Sequence, residues 1–259
     1  MPTACITGGA KRIGAEIARA LVADGFRVAV HFNTSRAEAE ALKQDLIAQS
    51  GDASCCEIFQ GDLQDRNSVK AVFSDVVDWL GPLNLCINNA SSFMNDDISD
   101  LSAEKFDAHL DVNLKAPVHF AAMTAVQADG LEDCLIINLL DNKVFALNPD
   151  FFTYTLSKTG LHTATRMLAM RFGGFPRVAG IAPSITLISG KQTKENFEKS
   201  SRINPLRRQV TPADIARTVL FMWNSKGFDD QVITLDGGQS LEQLPRDVAF
   251  LVKEGLIRE

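Results

Sequence analysis

The chain has 259 residues, 22% of them charged and 46% hydrophobic, and a net charge of −6. That length allows one large domain or two small ones of ordinary globular composition. The acidic balance offers nothing to a nucleic-acid backbone and no apolar run reaches transmembrane length, so neither nucleic acid nor membrane is an expected partner.

Short apolar runs alternate with longer stretches of helical spacing. In chain order, strands are expected at residues 3–7, 27–32, 54–60, 83–88, 134–139, 177–182 and 231–235. Helices are expected between them at 12–24, 36–50, 66–80, 103–129, 151–172 and 211–223. The strand runs are apolar throughout, as in strands covered on both faces of a parallel sheet. Strict alternation of this kind predicts right-handed βαβ units. The expected fold is α/β, a single Rossmann-type doubly wound domain over residues 1–259, with a seven-stranded parallel sheet flanked by helices. No linker or internal repeat divides the chain. Residues 184–208 are polar and irregular and follow the end of the sixth strand. Ligands of open α/β sheets sit beyond the carboxyl ends of the strands. Residues 184–210 are therefore a candidate substrate loop, with an ordinary surface insertion as the alternative. The tail after Gly238 carries Pro245 and a short apolar helical pattern near residues 248–256, open to packing on a partner subunit.

The only tyrosine is Tyr154, and Lys158 follows it by one helical turn. At that spacing the phenol and the ammonium share a helix face. The cation is expected to lower the phenol pKa from about 10 towards neutrality. A tuned proton donor of this kind suits the reduction of a carbonyl or an imine, although a chance pair has the same spacing.

The first strand runs into Thr7-Gly8-Gly9-Ala10-Lys11-Arg12-Ile13-Gly14 and then a helix. Glycines there allow a tight turn and close approach of a pyrophosphate, which would rest on the helix N-terminus. The second strand ends His31-Phe32-Asn33-Thr34-Ser35-Arg36, and no acid occurs between Arg27 and Ala37. An NAD enzyme usually places a carboxylate here for the ribose hydroxyls. Arg12, Ser35 and Arg36 could instead bind a 2′-phosphate, so NADPH is the expected cofactor. The alternative for Arg36 is a solvated residue at a helix start. Asp62-Leu63 after the third strand could face the adenine, and Asn88-Asn89-Ala90-Ser91 ends the fourth strand. Strand-end asparagines are also common turn residues.

The five cysteines form no C-x-x-C pair, and Cys5, Cys86 and Cys134 lie in or beside apolar runs. Buried free thiols are expected. The four histidines show no ligand spacing, so no metal is expected. The first apolar run begins almost at Met1, without a cationic leader, and the protein is read as cytoplasmic.

On these motifs the chain resembles the short-chain dehydrogenase/reductase family over nearly its whole length. The family's Thr-Gly-x-x-x-Gly-x-Gly appears as Thr7 to Gly14, and its Asn-Asn-Ala-Gly as Asn88 to Ser91. Its helix-four asparagine matches Asn113, its Tyr-x-x-x-Lys is Tyr154 and Lys158, and its late Asp-Gly-Gly is Asp236-Gly237-Gly238. Arg12 replaces the middle glycine of the first motif and Ser91, followed by Ser92-Phe93, the last glycine of the second. Asp141 stands where the family has its catalytic serine. These three departures resemble the pteridine reductase branch, which includes the bacterial dihydromonapterin reductases. Thr34, where that branch often has an arginine, and Pro183-Ser184, where the family has Pro-Gly, depart from the pattern.

The resemblance implies NADPH-dependent reduction of a dihydropterin: 7,8-dihydromonapterin, dihydrobiopterin or dihydrofolate. It implies Asp141, Tyr154 and Lys158 as the catalytic set, with Asn113 keeping a water beside the lysine. Lys158 would also hold the nicotinamide ribose. Phe93 would stack on the pterin ring, and Ser91 and Arg12 would bond its polar edge or a cofactor phosphate. Phe93 could equally be a loop aromatic and Asp141 a local cap. The cofactor would lie along Thr7 to Gly14, His31 to Arg36, Asp62-Leu63, Asn89 to Ser91 and Pro183-Ser184. The resemblance further implies a homotetramer paired through the helices at 103–129 and 151–172. The alternatives are a general carbonyl or 3-oxoacyl reductase, and a non-catalytic NADP-binding regulatory protein on the same fold.

Overall fold

The computed structural model describes residues 1–256, so residues 257–259 of the expected domain lie outside the described residues. Seven parallel strands form one sheet in the order β3-β2-β1-β4-β5-β6-β7. They are β1 (Thr3–Ile6), β2 (Arg27–Phe32), β3 (Cys56–Gln60), β4 (Leu85–Asn88), β5 (Leu135–Leu139), β6 (Arg177–Pro183) and β7 (Val232–Leu235). The sheet is the one expected from the apolar runs, with several strands shorter at their ends. β3 starts at Cys56 and not at residue 54, because the Asp52 carboxylate accepts both the N–H and the hydroxyl of Ser54 and holds a turn there.

Successive strand residues face opposite layers. Ala4 and Ile6, Leu85 and Ile87, and Leu135 and Ile137 meet α1 (Arg12–Ala23), α2 (Arg36–Ser50) and α8 (Pro212–Asn224). Cys5, Cys86 and Ile136 face the opposite way, against α3 (Arg66–Leu80), α5 (Ala116–Gln127) and α6 (Phe152–Phe172). The five cysteines are free and buried. Among the described residues no helix is long and apolar enough to cross a membrane. No group of three or more His, Cys, Asp or Glu side chains among them could hold a metal.

The helix expected over 103–129 is interrupted. α4 (Ala103–Leu110) passes through a π-turn at Asp111–Lys115 before α5 begins. Pro117 has no N–H for the carbonyl four residues earlier, that of Asn113. The chain closes the gap with a wider turn, in which the Ala116 N–H bonds to the Asp111 carbonyl. The loop expected to be irregular after β6 contains α7 (Lys194–Ser200), whose cap is the Thr193 side chain accepting the Asn196 N–H. A short α9 (Val248–Lys253) closes the described chain and packs beside α7.

At the opposite end of the strands, Arg177 is 5% exposed and ties β6 to its neighbours. It donates to both oxygens of Asp133 at 3.1 and 2.9 Å and to the carbonyls of Met222, Ser225 and Phe228 at 3.0–3.2 Å. Arg177→Ala leaves these acceptors without that partner and should lower unfolding stability by about 3 kcal/mol. Urea denaturation of the variant beside the parent protein measures it.

Candidate active site

The strand order reverses at β1, which lies between β2 and β4. Chains leave the carboxyl ends of β1 and β4 in opposite directions, and a crevice opens there. A cleft of about 1350 Å³ begins at this point and runs across the sheet towards α9. That exceeds an ordinary single-ligand site and leaves room for two reactants side by side.

The nucleotide end is built from backbone packed against backbone. Gly8 has φ +60°, and a Cβ on it would meet the Ala90 Cα at 2.8 Å. A Cβ on Gly14 would meet the Gly8 carbonyl at 2.6 Å. Both positions require glycine. The Asn89 amide donates to the carbonyls of Thr7 and Gly8 at 3.0 and 2.9 Å. The Thr7 hydroxyl accepts the N–H groups of Asn89 and Ala90 at 3.0 and 3.1 Å. Thr7 is thus turned towards the end of β4 and does not line the cleft, contrary to its expected place against the cofactor. Lys11, Arg12 and Ile13 do line it, as do Asn33, Thr34, Ser35, Asp62 and Leu63.

Two expected phosphate or ribose contacts are otherwise engaged. Arg36 lies outside the cleft wall, where it donates to Gln60 Oε1 at 2.6 Å and faces Glu40 at 3.5 Å. The open cations nearest the turn are Lys11 and Arg12. Arg12 has φ +57° and donates to the Ile188 carbonyl at 2.9 Å, joining the first turn to the loop after β6. His31 reaches the cleft wall, but both ring nitrogens are bonded to backbone. Nδ1 accepts the Gly8 N–H at 3.1 Å, and Nε2 faces the Gly61 carbonyl at 3.0 Å. That pair of bonds needs the neutral ring with its proton on Nε2. His31 shapes the turn from behind.

At the other end, α6 carries Tyr154 and Lys158 to the ends of β4 and β5. Tyr154 donates to Asp141 Oδ2 at 2.9 Å. Asp141 Oδ1 accepts the Lys143 N–H at 2.9 Å, so this carboxylate is both a turn cap and the tyrosine's partner. Lys158 is 2% exposed and donates to the Leu139 carbonyl at 2.7 Å. Burial pushes its pKa down to about 8. Burial raises the pKa of Asp141. The Tyr154 pKa is also raised, by burial and then by the Asp141 charge. The expected lowering by Lys158 is therefore overturned. In this dry setting the desolvation of a phenolate outweighs a cation whose ammonium lies 5.9 Å from the ring centre. Burial thus favours the protonated form of Tyr154.

Asn113 does not line the cleft and makes no hydrogen bond to Lys158. Its side chain accepts the Ser92 N–H at 2.8 Å and donates to the Ser92 carbonyl at 2.9 Å and the Ser157 hydroxyl at 3.0 Å. It fixes the segment that carries Ser91 and Phe93. His109 Nε2 accepts the Met94 N–H at 3.1 Å, and Lys105 donates to the Asn95 carbonyl at 3.0 Å. Asp96 accepts from Thr153. Phe93 is 39% exposed, edge-on to Tyr154 at 4.7 Å and stacked on Phe151 at 4.7 Å. Ser91, Pro183 and Ser184 complete the expected wall.

Several lining residues have no counterpart in the motifs. Lys143 and Asp247 form a nearly buried ion pair at 2.6 Å. Arg246 holds Asp150 with bonds of 2.7 and 3.2 Å. Phe250 on α9 stacks on Phe151 at 5.5 Å. Asp247 caps α9 by accepting the Ala249 N–H, and an Asp before an apolar helical run was the one local sign of this wall.

The His31 pKa is lowered to about 4, chiefly by burial. The unfolded chain binds this proton first as pH falls, so the stability from His31 is full above about 6.5 and is lost towards about 4. That is roughly 3 kcal/mol across the window. In His31→Gln the corresponding part of the stability-against-pH slope should vanish, as denaturation at pH 7 and pH 5 would show.

The family model described as enoyl-(acyl carrier protein) reductase matches residues 8–240. The crystal structure of FolM alternative dihydrofolate reductase 1 from Brucella canis, complexed with NADP, is 38% identical in sequence. It superimposes with a TM-score of 0.88, covering 95% of this chain and 96% of that one. The Brucella suis protein of the same name, in complex with NADP, is 38% identical with a TM-score of 0.88, covering 94% and 96%. The 3-oxoacyl-[acyl-carrier-protein] reductase FabG of Staphylococcus aureus (strain Mu50 / ATCC 700699) is 28% identical over 244 residues, 91% of this chain and 97% of the relative.

Proposed function

The chain belongs to the short-chain dehydrogenase/reductase family, and from that premise we propose that it reduces a dihydropterin or dihydrofolate to the tetrahydro form with NADPH. The observation that carries this reading is the Tyr154–Asp141 hydrogen bond of 2.9 Å. A carboxylate offers nothing to a developing oxyanion. A carboxyl group whose pKa is raised by burial can hold a proton and pass it on. The nitrogen of an imine-type C=N bond needs such a proton. The NADP complexes of the FolM relatives support the choice of cofactor, as does the absence of an acid between Arg27 and Ala37.

The residues fit that cofactor. The cradle formed by Gly8 and Gly14 lets the start of α1 reach the cleft, where a pyrophosphate would lie against its N-terminus. Lys11, Thr34 and Ser35 would hold the 2′-phosphate, and Lys158 the nicotinamide ribose. Bound NADPH would supply the hydride. Phe93 would hold the pterin ring flat, with Ser91 and Arg12 at its polar edge. Tyr154 would donate its proton to the ring nitrogen and regain one from Asp141. Much of the rate would come from holding two reactants in contact.

Exposed apolar side chains on the long helices, Val126 at 84% and Met170 at 73%, support an assembly paired through α5 and α6, a homotetramer in this reading.

The test is NADPH oxidation by purified protein offered 7,8-dihydromonapterin, dihydrofolate or a 3-oxoacyl thioester. Turnover of either pterin substrate upholds the reading. Turnover of the thioester alone replaces it with the activity named for the FabG relative. Tyr154→Phe should lower kcat by roughly 100-fold or more while the NADPH Kd stays within about twofold. Phe93→Ala should raise the pterin KM by about 3- to 10-fold and leave the NADPH KM unchanged. Turnover should fall with rising pH as Asp141 loses its proton, and Asp141→Asn should remove that limb of the kcat profile.

A further inference from the structure

Asp141 is held at both of its oxygens. Oδ2 accepts the Tyr154 hydroxyl at 2.9 Å, and Oδ1 accepts the Lys143 N–H at 2.9 Å. That second bond places Lys143 in the same cleft wall as the carboxyl. Its ammonium lies 2.6 Å from Asp247 Oδ2 and 5.2 Å from the centre of the Phe151 ring. Lys143 and Asp247 are each only 8% exposed, so little water screens the pair. Asp247 divides its oxygens as Asp141 does. Oδ2 faces the lysine, while Oδ1 caps α9 by accepting the Ala249 N–H at 2.9 Å. The Asp247 N–H donates to Asp150 Oδ2 at 2.7 Å, and Arg246 holds the same carboxylate. The proton donor on α6 is therefore joined, through Asp141 and Lys143, to the start of α9.

The groups around Asp141 come from several elements. α6 brings Tyr154 and Lys158, the turn after β5 brings Lys143, and the start of α9 brings Asp247. The segment after β4 and the turn after β7 contribute Ser91 and Gln239, which carry no charge. Burial raises the Asp141 pKa, and the charge of Lys143 is the largest effect opposing it, ahead of the Tyr154 bond and Lys158. Lys158 is already bonded to the Leu139 carbonyl. Lys143 has Asp247 as its counter-charge, and that carboxylate offsets part of the ammonium while fixing where it sits.

We propose that Lys143 is a positioning residue for the reduction: its ammonium, held in the wall by Asp247, sets the pH at which Asp141 gives up the proton that Tyr154 must regain. The inference rests on the proton relay described above and deepens it by naming what tunes it. It also makes α9 part of the chemistry, because Asp247 reaches Lys143 only while α9 is packed against the wall after β5. A loosened α9 leaves the lysine charge unopposed, and Asp141 then loses its proton at lower pH.

The experiment records kcat against pH for NADPH oxidation with 7,8-dihydrofolate and 7,8-dihydromonapterin in the parent protein, Lys143→Met, Asp247→Asn and the double variant. Removing a nearby cation raises a carboxyl pKa, so the alkaline limb of Lys143→Met should move up by about 0.5 to 1 pH unit. Asp247→Asn leaves the cation without its counter-charge, and its limb should move down by a similar amount. The double variant, which buries no unpaired charge, should fall between the two. The position of a limb, unlike its height, does not depend on how much of a variant is folded. In the cofactor-free protein, the infrared carbonyl stretch of a protonated carboxyl, identified by its absence from Asp141→Asn, should vanish over the same shifted pH ranges. Limbs that stay in place, or that move the same way in both single variants, overturn the role of Lys143 and leave the relay intact. A limb that survives in Asp141→Asn, or a parent that turns over neither substrate, overturns both.

Discussion

The structure depends on the close meeting of β1 and β4 at their carboxyl ends. Between Gly8, Gly14 and Ala90 no room exists for one added methyl group. Thr7, Asn89 and His31 place their polar atoms around this contact, so that backbone groups leaving the sheet find partners without water. Such density sets the position of the first turn against the start of α1 to within a fraction of an ångström. It also sets the distance from that turn to β5, and so to Asp141 at the far wall of the crevice. An open sheet can place two reactants in contact only if its switch point is rigid, and this one is filled with backbone.

The proton chemistry follows from burial more than from charge. Tyr154, Asp141 and Lys158 occupy one dry corner, and desolvation is the first cause of the shift in each. Burial raises the pKa of both the phenol and the carboxyl, and it brings the lysine's pKa down to about 8.

Much of the architecture was legible because a parallel sheet writes itself plainly. Runs such as Leu85–Asn88 and Leu135–Leu139 are apolar at every position but the last or next to last, and both their faces are covered. The glycine turn was legible because backbone geometry restricts the residues allowed there, and the Tyr154–Lys158 pair because one helical turn puts a phenol and an ammonium on one face. The rest turned on contacts between distant segments. The break at Asn113 follows from Pro117, yet helical periodicity continues through it. Arg36 reads as a phosphate ligand until Gln60 is seen opposite it on β3. The direction of the tyrosine shift depends on how much water is excluded, and no spacing encodes that. The wall of Lys143, Phe151, Asp247 and Phe250 joins segments about a hundred residues apart, and none of them carries a motif of its own.

The two sides of the substrate region are anchored differently. The segment carrying Ser91 and Phe93 is tied down at Ser92, Met94, Asn95 and Asp96 by side chains from α4, the π-turn and α6. Most of those bonds are buried or partly buried. On the facing side α9 is held to the wall after β5 by the Lys143–Asp247 and Arg246–Asp150 pairs and the buried Asp247 N–H bond to Asp150, whereas α7 and the loop between β6 and α7 reach α9 through the Asn196 bond to the Ala249 carbonyl. One wall is therefore an anvil and the other a hand. Descendants of this chain could acquire new substrates by altering the loop after β6 and α7, residues 184–200, without disturbing the sheet that sets the geometry of the site.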